Sequence, residues 1–77
     1  MNDVNGRLVA LGDKVAIGGG IVGIVVCSID TDEYASGFPK DEWEYLGRGI
    51  VVQTAHAGLV HLEGPNEDTE IILPGAG

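Results

Sequence analysis

The sequence has little positive charge, a single cysteine, few aromatic residues and no long apolar run. Four Lys and Arg stand against twelve Asp and Glu, which gives a formal net charge of −8. A surface of this charge repels phosphate backbones and anionic lipids, so we expect neither nucleic acid nor a membrane as a partner. No apolar run approaches the roughly 18 residues that a membrane span needs. The charge instead suits a partner with a basic surface.

Cys27 is the only cysteine, which excludes an intrachain disulfide and a cysteine-based metal cluster. It lies in the apolar run GIVVCSI, where cysteine usually packs as a small hydrophobic residue. The first residues, MNDVNGRLVALGD, lack the basic region followed by an apolar stretch that marks a signal peptide. We therefore predict a cytoplasmic protein with Cys27 buried.

Short segments rich in β-branched residues, separated by turn residues, predict an all-β fold. The five strand candidates are residues 13–17, 21–29, 48–54, 58–63 and 69–73, and residues 7–11 would add a sixth if they pair at an edge. A chain of 77 residues predicts one domain over 1–77, with frayed ends at 1–6 and 74–77. Pro39 and the acidic residues after it predict one short helical turn near 40–46.

The two central strand candidates are apolar throughout and show no clean alternation with polar residues. A small closed barrel would explain this pattern, because a bent strand buries different faces along its length. Gly23 would then be a bend or bulge point. All four aromatic residues lie in the window 34–45. We interpret them as a plug over one end of the barrel, with Trp43 the most buried; the alternative is a recognition loop.

The glycines of GGGIVG at 18–23 have the G-x-G-x-x-G spacing of a dinucleotide-binding loop. Such a loop must lead into a helix, and the β-branched residues after Gly20 favour a strand. A phosphate-binding loop would need a Lys after Gly23, which is missing. The motif therefore predicts a glycine-rich hairpin turn and no cofactor.

No other pattern predicts a catalytic or metal site. The acidic run at 30–33 fails as a calcium loop, because Tyr34, Ala35 and Asp41 occupy positions that need other residues. His56, His61 and Glu63 are a poor zinc set, since strand alternation does not bring the two histidines together. Ser28 and Ser36 have no evident base partner, and a buried Cys27 would be unreactive. We therefore predict a protein that is not an enzyme and holds neither metal nor cofactor.

The stretch GDKVAIGGGIVGIVV resembles the opening of SH3-like small barrels, especially KOW-type ones. The matching positions are Gly12, Asp13, Val15, Gly20, Gly23 and Val25. The resemblance implies a small SH3-like barrel whose loops contact RNA or a protein partner. The loops here are acidic where RNA binding implies basic ones, which leaves a protein. The segment EYASGFPKDEWEYLGRGIVV also resembles short bacterial proteins of the kind found on mobile elements.

These observations together predict a small acidic module that binds a basic, partly apolar protein through residues 30–47. The candidate contact residues are Tyr34, Phe38, Asp41, Glu42, Trp43 and Tyr45. Self-association through an edge strand, 7–11 or 69–73, is a further expectation.

Two alternative functions remain open at this point. One is an inhibitor whose acidic clusters at 30–33, 41–44 and 63–70 mimic nucleic-acid phosphates, which requires all three on one face. The other is a small-ligand-binding barrel with a pocket lined by Trp43 and a histidine.

Overall fold

The computed structural model describes residues 2–63 and 69–75. Within them, six strands form one antiparallel sheet. The strands are β1 (Lys14–Ala16), β2 (Val22–Ser28), β3 (Glu33–Tyr34), β4 (Ile50–Thr54), β5 (Leu59–Leu62) and β6 (Glu70–Leu73). Their order across the sheet is β5-β4-β2-β1-β6, and β3 pairs with the end of β2. A short helix, α1 (Lys40–Trp43), continues into a 3₁₀ turn (Glu44–Leu46). The all-β prediction and the helical turn near 40–46 are confirmed.

The sixth strand is not the one that the sequence predicts. Residues 7–11 form no strand, and only an isolated bridge joins Asn2 and Leu8. Their contribution is Val9, which is fully buried in the core. The additional strand is instead the two-residue β3, which follows a polar turn and pairs with Cys27 and Ser28. Two polar or aromatic residues have no periodicity to read, so the sequence carries no signal for β3.

The glycine-rich segment is a hairpin turn, as predicted. Gly18, Gly19 and Gly20 all have positive φ, and Ile21 starts no helix. The backbone N–H of Ile17 donates to the carbonyl of Ile21 at 2.9 Å, which closes the turn. Only glycine adopts this series of conformations without strain.

A β-bulge at Val26 explains why β2 lacks clean alternation. Val25 pairs with Val52 and Cys27 pairs with Val51, so Val26 is an extra residue on β2. The bulge reverses the phase of the strand, and Val25 and Cys27 therefore face opposite sides of the sheet. The register of β2 is regular at Gly23 on both sides, so Gly23 is not the bulge point, and a bend there stays a prediction. A Cβ at Gly23 would lie 2.5 Å from the carbonyl oxygen of Gln53, so this glycine allows β4 to approach closely.

Two apolar clusters lie on the two faces of the sheet. The first contains Val9, Val15, Val25, Ile50, Val52 and Ile71. The second contains Val26, Cys27 and Val51, and partly buried residues of the 29–46 segment pack against it. Alternation along β4 separates the clusters, since Ile50 and Val52 belong to one and Val51 to the other.

The aromatic residues pack only on the second cluster. Tyr34, Phe38 and Trp43 contact it, whereas the aliphatic first cluster has no aromatic neighbour. The rings therefore do not pack against the first cluster, and their role as a plug over one end of a barrel stays a prediction. They cover an outer face of β2 and β4. The bulge makes this necessary, because it turns Cys27 to a face that would otherwise be exposed.

Buried carboxylates accept backbone N–H groups near both ends of the chain that the structure describes, and fraying at 1–6 and 74–77 stays a prediction. Asp3 accepts backbone N–H groups of Asn5, Arg7 and Ile71 at 2.9–3.1 Å. Asp13 accepts the N–H groups of Ala10 and Gly75. Both aspartates are 6 % exposed. Met1 and residues 76–77 lie outside the described residues.

Candidate functional site

The helical segment of residues 40–46 has sharply defined ends. Pro39 precedes it in an extended conformation, with ψ of 145°, and accepts the N–H of Glu42 at 3.0 Å. Gly47 ends it with φ of 82°, and its N–H donates to Glu44. Asp41 and Glu42 lie in the first turn, where unpaired N–H groups favour negative charge. The chain therefore presents two full carboxylates on a short, fixed turn.

Three apolar side chains fasten this turn to the sheet. Phe38, Trp43 and Leu46 pack against the second cluster. The Phe38 and Trp43 rings lie 5.6 Å apart between centroids, tilted by 49°. Tilted ring pairs at this distance are attractive beyond their buried area. These contacts anchor the side of the turn that faces the sheet. The opposite side faces away from the sheet and carries other residues.

Tyr45 lies on the outward side and is 75 % exposed. Asp41 and Glu42 precede it by four and three residues, the spacing at which side chains on a helical turn become neighbours. Both are exposed, as is Glu44. We call Asp41, Glu42, Glu44 and Tyr45 the Tyr45 surface. It consists of an exposed phenol ring and three exposed carboxylates carried by one anchored turn.

Polar contacts fix the start of the segment against the sheet. The Thr31 hydroxyl lies 2.7 Å from the hydroxyl of Ser28 and 2.6 Å from a carboxylate oxygen of Glu33. Asp30 accepts the N–H of Gly49 at 3.1 Å, which ties the two ends of the segment together. Lys40 and Asp32 form an exposed ion pair at 2.9 Å. The carboxylates of the acidic run 30–33 therefore form contacts with their own segment and with the backbone next to it.

Tyr34 and Lys40 have shifted pKa values that match these surroundings. Burial raises the pKa of Tyr34 above its usual range, and the nearby charge of Asp32 adds to the rise. The hydrogen bond and the charge of Asp32 raise the pKa of Lys40. Both shifts favour the protonated forms, the phenol of Tyr34 and the ammonium of Lys40, near neutral pH.

The structure divides the six predicted contact residues into two sets. Asp41, Glu42 and Tyr45 are exposed, and the half-buried set that faces the sheet consists of Tyr34, Phe38 and Trp43. The prediction missed Glu44, although its place beside Tyr45 in an acidic turn could have indicated it.

The cysteine and the two histidines were the other residues considered for catalysis or metal binding. Cys27 is fully buried, and burial raises the pKa of its thiol, which keeps it protonated. The Nε2 atom of His61 lies 2.9 Å from the carbonyl oxygen of Arg48, while His56 is exposed in the β4–β5 loop. Over residues 2–63 and 69–75, no three His, Cys, Asp or Glu side chains form a group that could hold a metal ion. Of the third acidic cluster, residues 64–68 lie outside the described residues.

Comparison with models of known protein families, with curated proteins and with solved structures gives no match for this chain. Among the described residues, no helix has the length and apolar character needed to cross a bilayer.

Proposed function

We propose that this chain is a small, non-enzymatic interaction module that binds a basic, partly apolar face of another protein through the Tyr45 surface. The observation that carries the proposal is the 75 % exposure of Tyr45 among exposed carboxylates, on a turn whose other side is anchored in the sheet. We place this module in the cytoplasm, as the sequence predicts.

The chemistry of the Tyr45 surface fits a basic partner. A tyrosine offers a large, stiff apolar area with a polar end, which is why it is frequent at interfaces. Its ring face also attracts Lys and Arg side chains, and Asp41, Glu42 and Glu44 would pair with the same cations. Since the turn is already held by Phe38, Trp43 and Leu46, little conformational entropy is lost on binding.

We further propose that the sheet curls into an SH3-like barrel. Two features support this fold. The last strand, β6, pairs with the first strand, β1, and a meander from β2 through β4 to β5 follows on the other side. Ile71 of β6 and Ile50 of β4 also share the first cluster, although two strands separate them in the sheet. A cluster shared across two intervening strands supports curvature of the sheet around it.

The proposed function is tested by affinity capture of proteins from a lysate of the native host, with the wild type and matched variants compared. The wild type, Tyr45→Ala and the charge reversal Glu42→Lys are immobilised in parallel with Gln53→Ala, at an exposed residue on β4 that lies outside residues 30–47. We expect a protein retained by the wild type and by Gln53→Ala and lost by both changes in the Tyr45 surface. The purified partner should then bind more weakly as salt is raised, because its contacts are exposed charge pairs.

The proposal fails if Tyr45→Ala and Glu42→Lys retain everything that the wild type retains. It also fails if only nucleic acid is captured, since that outcome contradicts the charge argument.

A further inference from the structure

Strand β5 forms one end of the sheet, and its hydrogen-bonding pattern shows which groups point outward. The N–H of Thr54 donates to the carbonyl of Gly58 at 2.9 Å, so this pair faces inward between β4 and β5. Antiparallel pairs alternate between bonded and unbonded. With the register Val52↔Val60 and Val51↔His61, Val60 bonds to β4. Leu59 and His61 therefore direct their N–H and carbonyl groups away from the sheet.

These outward groups have no hydrogen-bond partner among residues 2–63 and 69–75. The strand also lacks the features that usually block an edge. The sequence LVHL contains no Lys and no Pro, and its register with β4 is regular over all four residues, without a bulge. Exposed edges of this kind are templates for pairing with another strand.

We propose that β5 is a dimerisation edge that pairs antiparallel with β5 of a second copy of this chain. A two-fold axis at Val60 places Leu59 of one copy opposite His61 of the other. The two residues then exchange N–H and carbonyl groups in both directions, which satisfies every outward group of the strand. The six-stranded sheets of the two copies become one continuous sheet.

The strand's own chemistry favours a second copy over an unrelated segment. In an antiparallel pair centred on Val60, the outward N–H and carbonyl groups of the two copies satisfy one another completely. Leu59 packs beside the His61 ring on one face, and the two Val60 side chains meet on the other. Charge also selects this strand, because Leu59–Leu62 contains no carboxylate in a chain of net charge −8.

The dimer should be weak, and salt should strengthen it. One pair of four-residue strands is a small interface, at the low end of what specific complexes bury. The two copies also repel each other through their net charge, and salt screens that repulsion. We expect a Kd of roughly 100 µM that falls severalfold between low salt and about 0.5 M NaCl. A complex through the Tyr45 surface has the opposite salt dependence, so the two proposals fail independently.

Sedimentation velocity over about 10 µM to 1 mM protein tests the association, and amide hydrogen exchange tests its location. We expect a monomer–dimer equilibrium in which exchange at Leu59 and His61 slows severalfold as concentration rises. The amide of Ile71, already bonded to Asp3, should show no concentration dependence. Leu59→Lys should abolish the dimer, while Leu8→Lys makes the same substitution at an exposed leucine that lies in none of the strands and should leave it intact. Circular dichroism confirms that both variants are folded.

Three results would overturn the proposal. The first is a wild type that stays monomeric at about 1 mM protein in high salt. The second is a dimer that Leu59→Lys leaves intact, or one without slower exchange at Leu59 and His61. The third is an edge that binds an extended peptide from another protein while the chain itself does not dimerise.

Discussion

The sheet ends in two edge strands, β6 and β5, and within residues 2–63 and 69–75 only β6 has its outward groups occupied. On β6, the outward N–H of Ile71 donates to the carboxylate of Asp3 at 3.1 Å, and its carbonyl accepts from the guanidinium of Arg7 at 3.1 Å. On β5, the outward groups of Leu59 have no such partners among the described residues. The contrast shows that side chains, and not only another strand, can satisfy the outward N–H and carbonyl groups of an edge strand. It also moves the prediction of self-association from 69–73 to β5.

The protection of β6 depends on one buried carboxylate. The Asp3 side chain is fully buried, while that of Arg7 is 53 % exposed. Burial would raise the pKa of Asp3, but the N–H donors of Ile71, Arg7 and Asn5 and the charge of Arg7 outweigh it and hold this pKa below its usual value. The ionised carboxylate is therefore the form that closes the edge.

The largest expected effect comes from Asp3→Ala, which removes the acceptor of three backbone N–H groups at once. Unsatisfied buried donors are costly, and we expect the midpoint of thermal unfolding to fall by roughly 10 °C or more. Circular dichroism on heating measures this. Asp41→Ala, at an exposed carboxylate, is the control and should shift the midpoint by less than about 3 °C. Equal midpoints for the two variants would mean that Asp3 does not hold the edge.

Acid should open the same edge without a mutation. Because the pKa of folded Asp3 is lowered, its contribution is complete above the unfolded value of about 3.9 and is lost as pH falls through the folded value. Urea unfolding of the wild type and of Asp3→Asn should therefore differ most near neutral pH, and this difference should shrink below pH of about 4. Acid also relieves repulsion between the other carboxylates, but it does so in both proteins. The difference between their free energies of unfolding therefore reports on Asp3. A difference that is constant with pH would contradict the assignment.

Arg7→Gln should have a smaller effect than Asp3→Ala. The substitution removes the donor to the Ile71 carbonyl but leaves the Asp3 contacts in place. Since the Arg7 side chain is half exposed, we expect a loss of about 0.5–1 kcal/mol in the free energy of unfolding in urea. Arg48→Gln is the matched control, because Arg48 is 72 % exposed and lies 4.0 Å from Glu63. A loss at Arg48 as large as at Arg7 would remove the distinction.

The smallest expected effect is at the unprotected edge. Leu59 is exposed and its outward groups bond to nothing described, so Leu59→Lys should change the monomer's free energy of unfolding by less than about 0.5 kcal/mol. Dilute urea titrations measure this below the concentration of any dimer. A large loss would indicate that β5 is already covered in the monomer.

Local patterns predicted the elements whose causes are local. The β-branched run 21–29 became β2, and Pro39 followed by Asp41 and Glu42 became a helical turn. The candidate site was only half predictable. Residues 34–45 were recognised as one aromatic segment, but Trp43 packs inward while Tyr45 is 75 % exposed, and their sequence context hardly distinguishes them. The direction of each ring depends on where α1 meets the sheet.

Pairing between distant parts of the chain could not be predicted in the same way. Asp3 bonds to Ile71 across 68 residues and Asp13 to Gly75 across 62. From its neighbours in the sequence, each aspartate would be taken for a turn or terminal residue. The local sequence around an aspartate that accepts remote N–H groups does not differ from that around an aspartate exposed to solvent. The bulge at Val26 is also hidden, since it exists only in the register between β2 and β4.

The amino-acid sequence by itself determined the acidic charge, the strand-forming runs, the glycine turn at 18–20 and the helical turn, because residue type and short-range sterics set each of them. Tertiary structure alone decided that Cys27 faces the aromatic segment, that Tyr45 faces solvent, and that the part of the chain the structure describes closes β6 and leaves β5 open. Those outcomes depend on register and on hydrogen bonds between residues far apart in the chain, and the free energy of such contacts exists only once the sheet has formed.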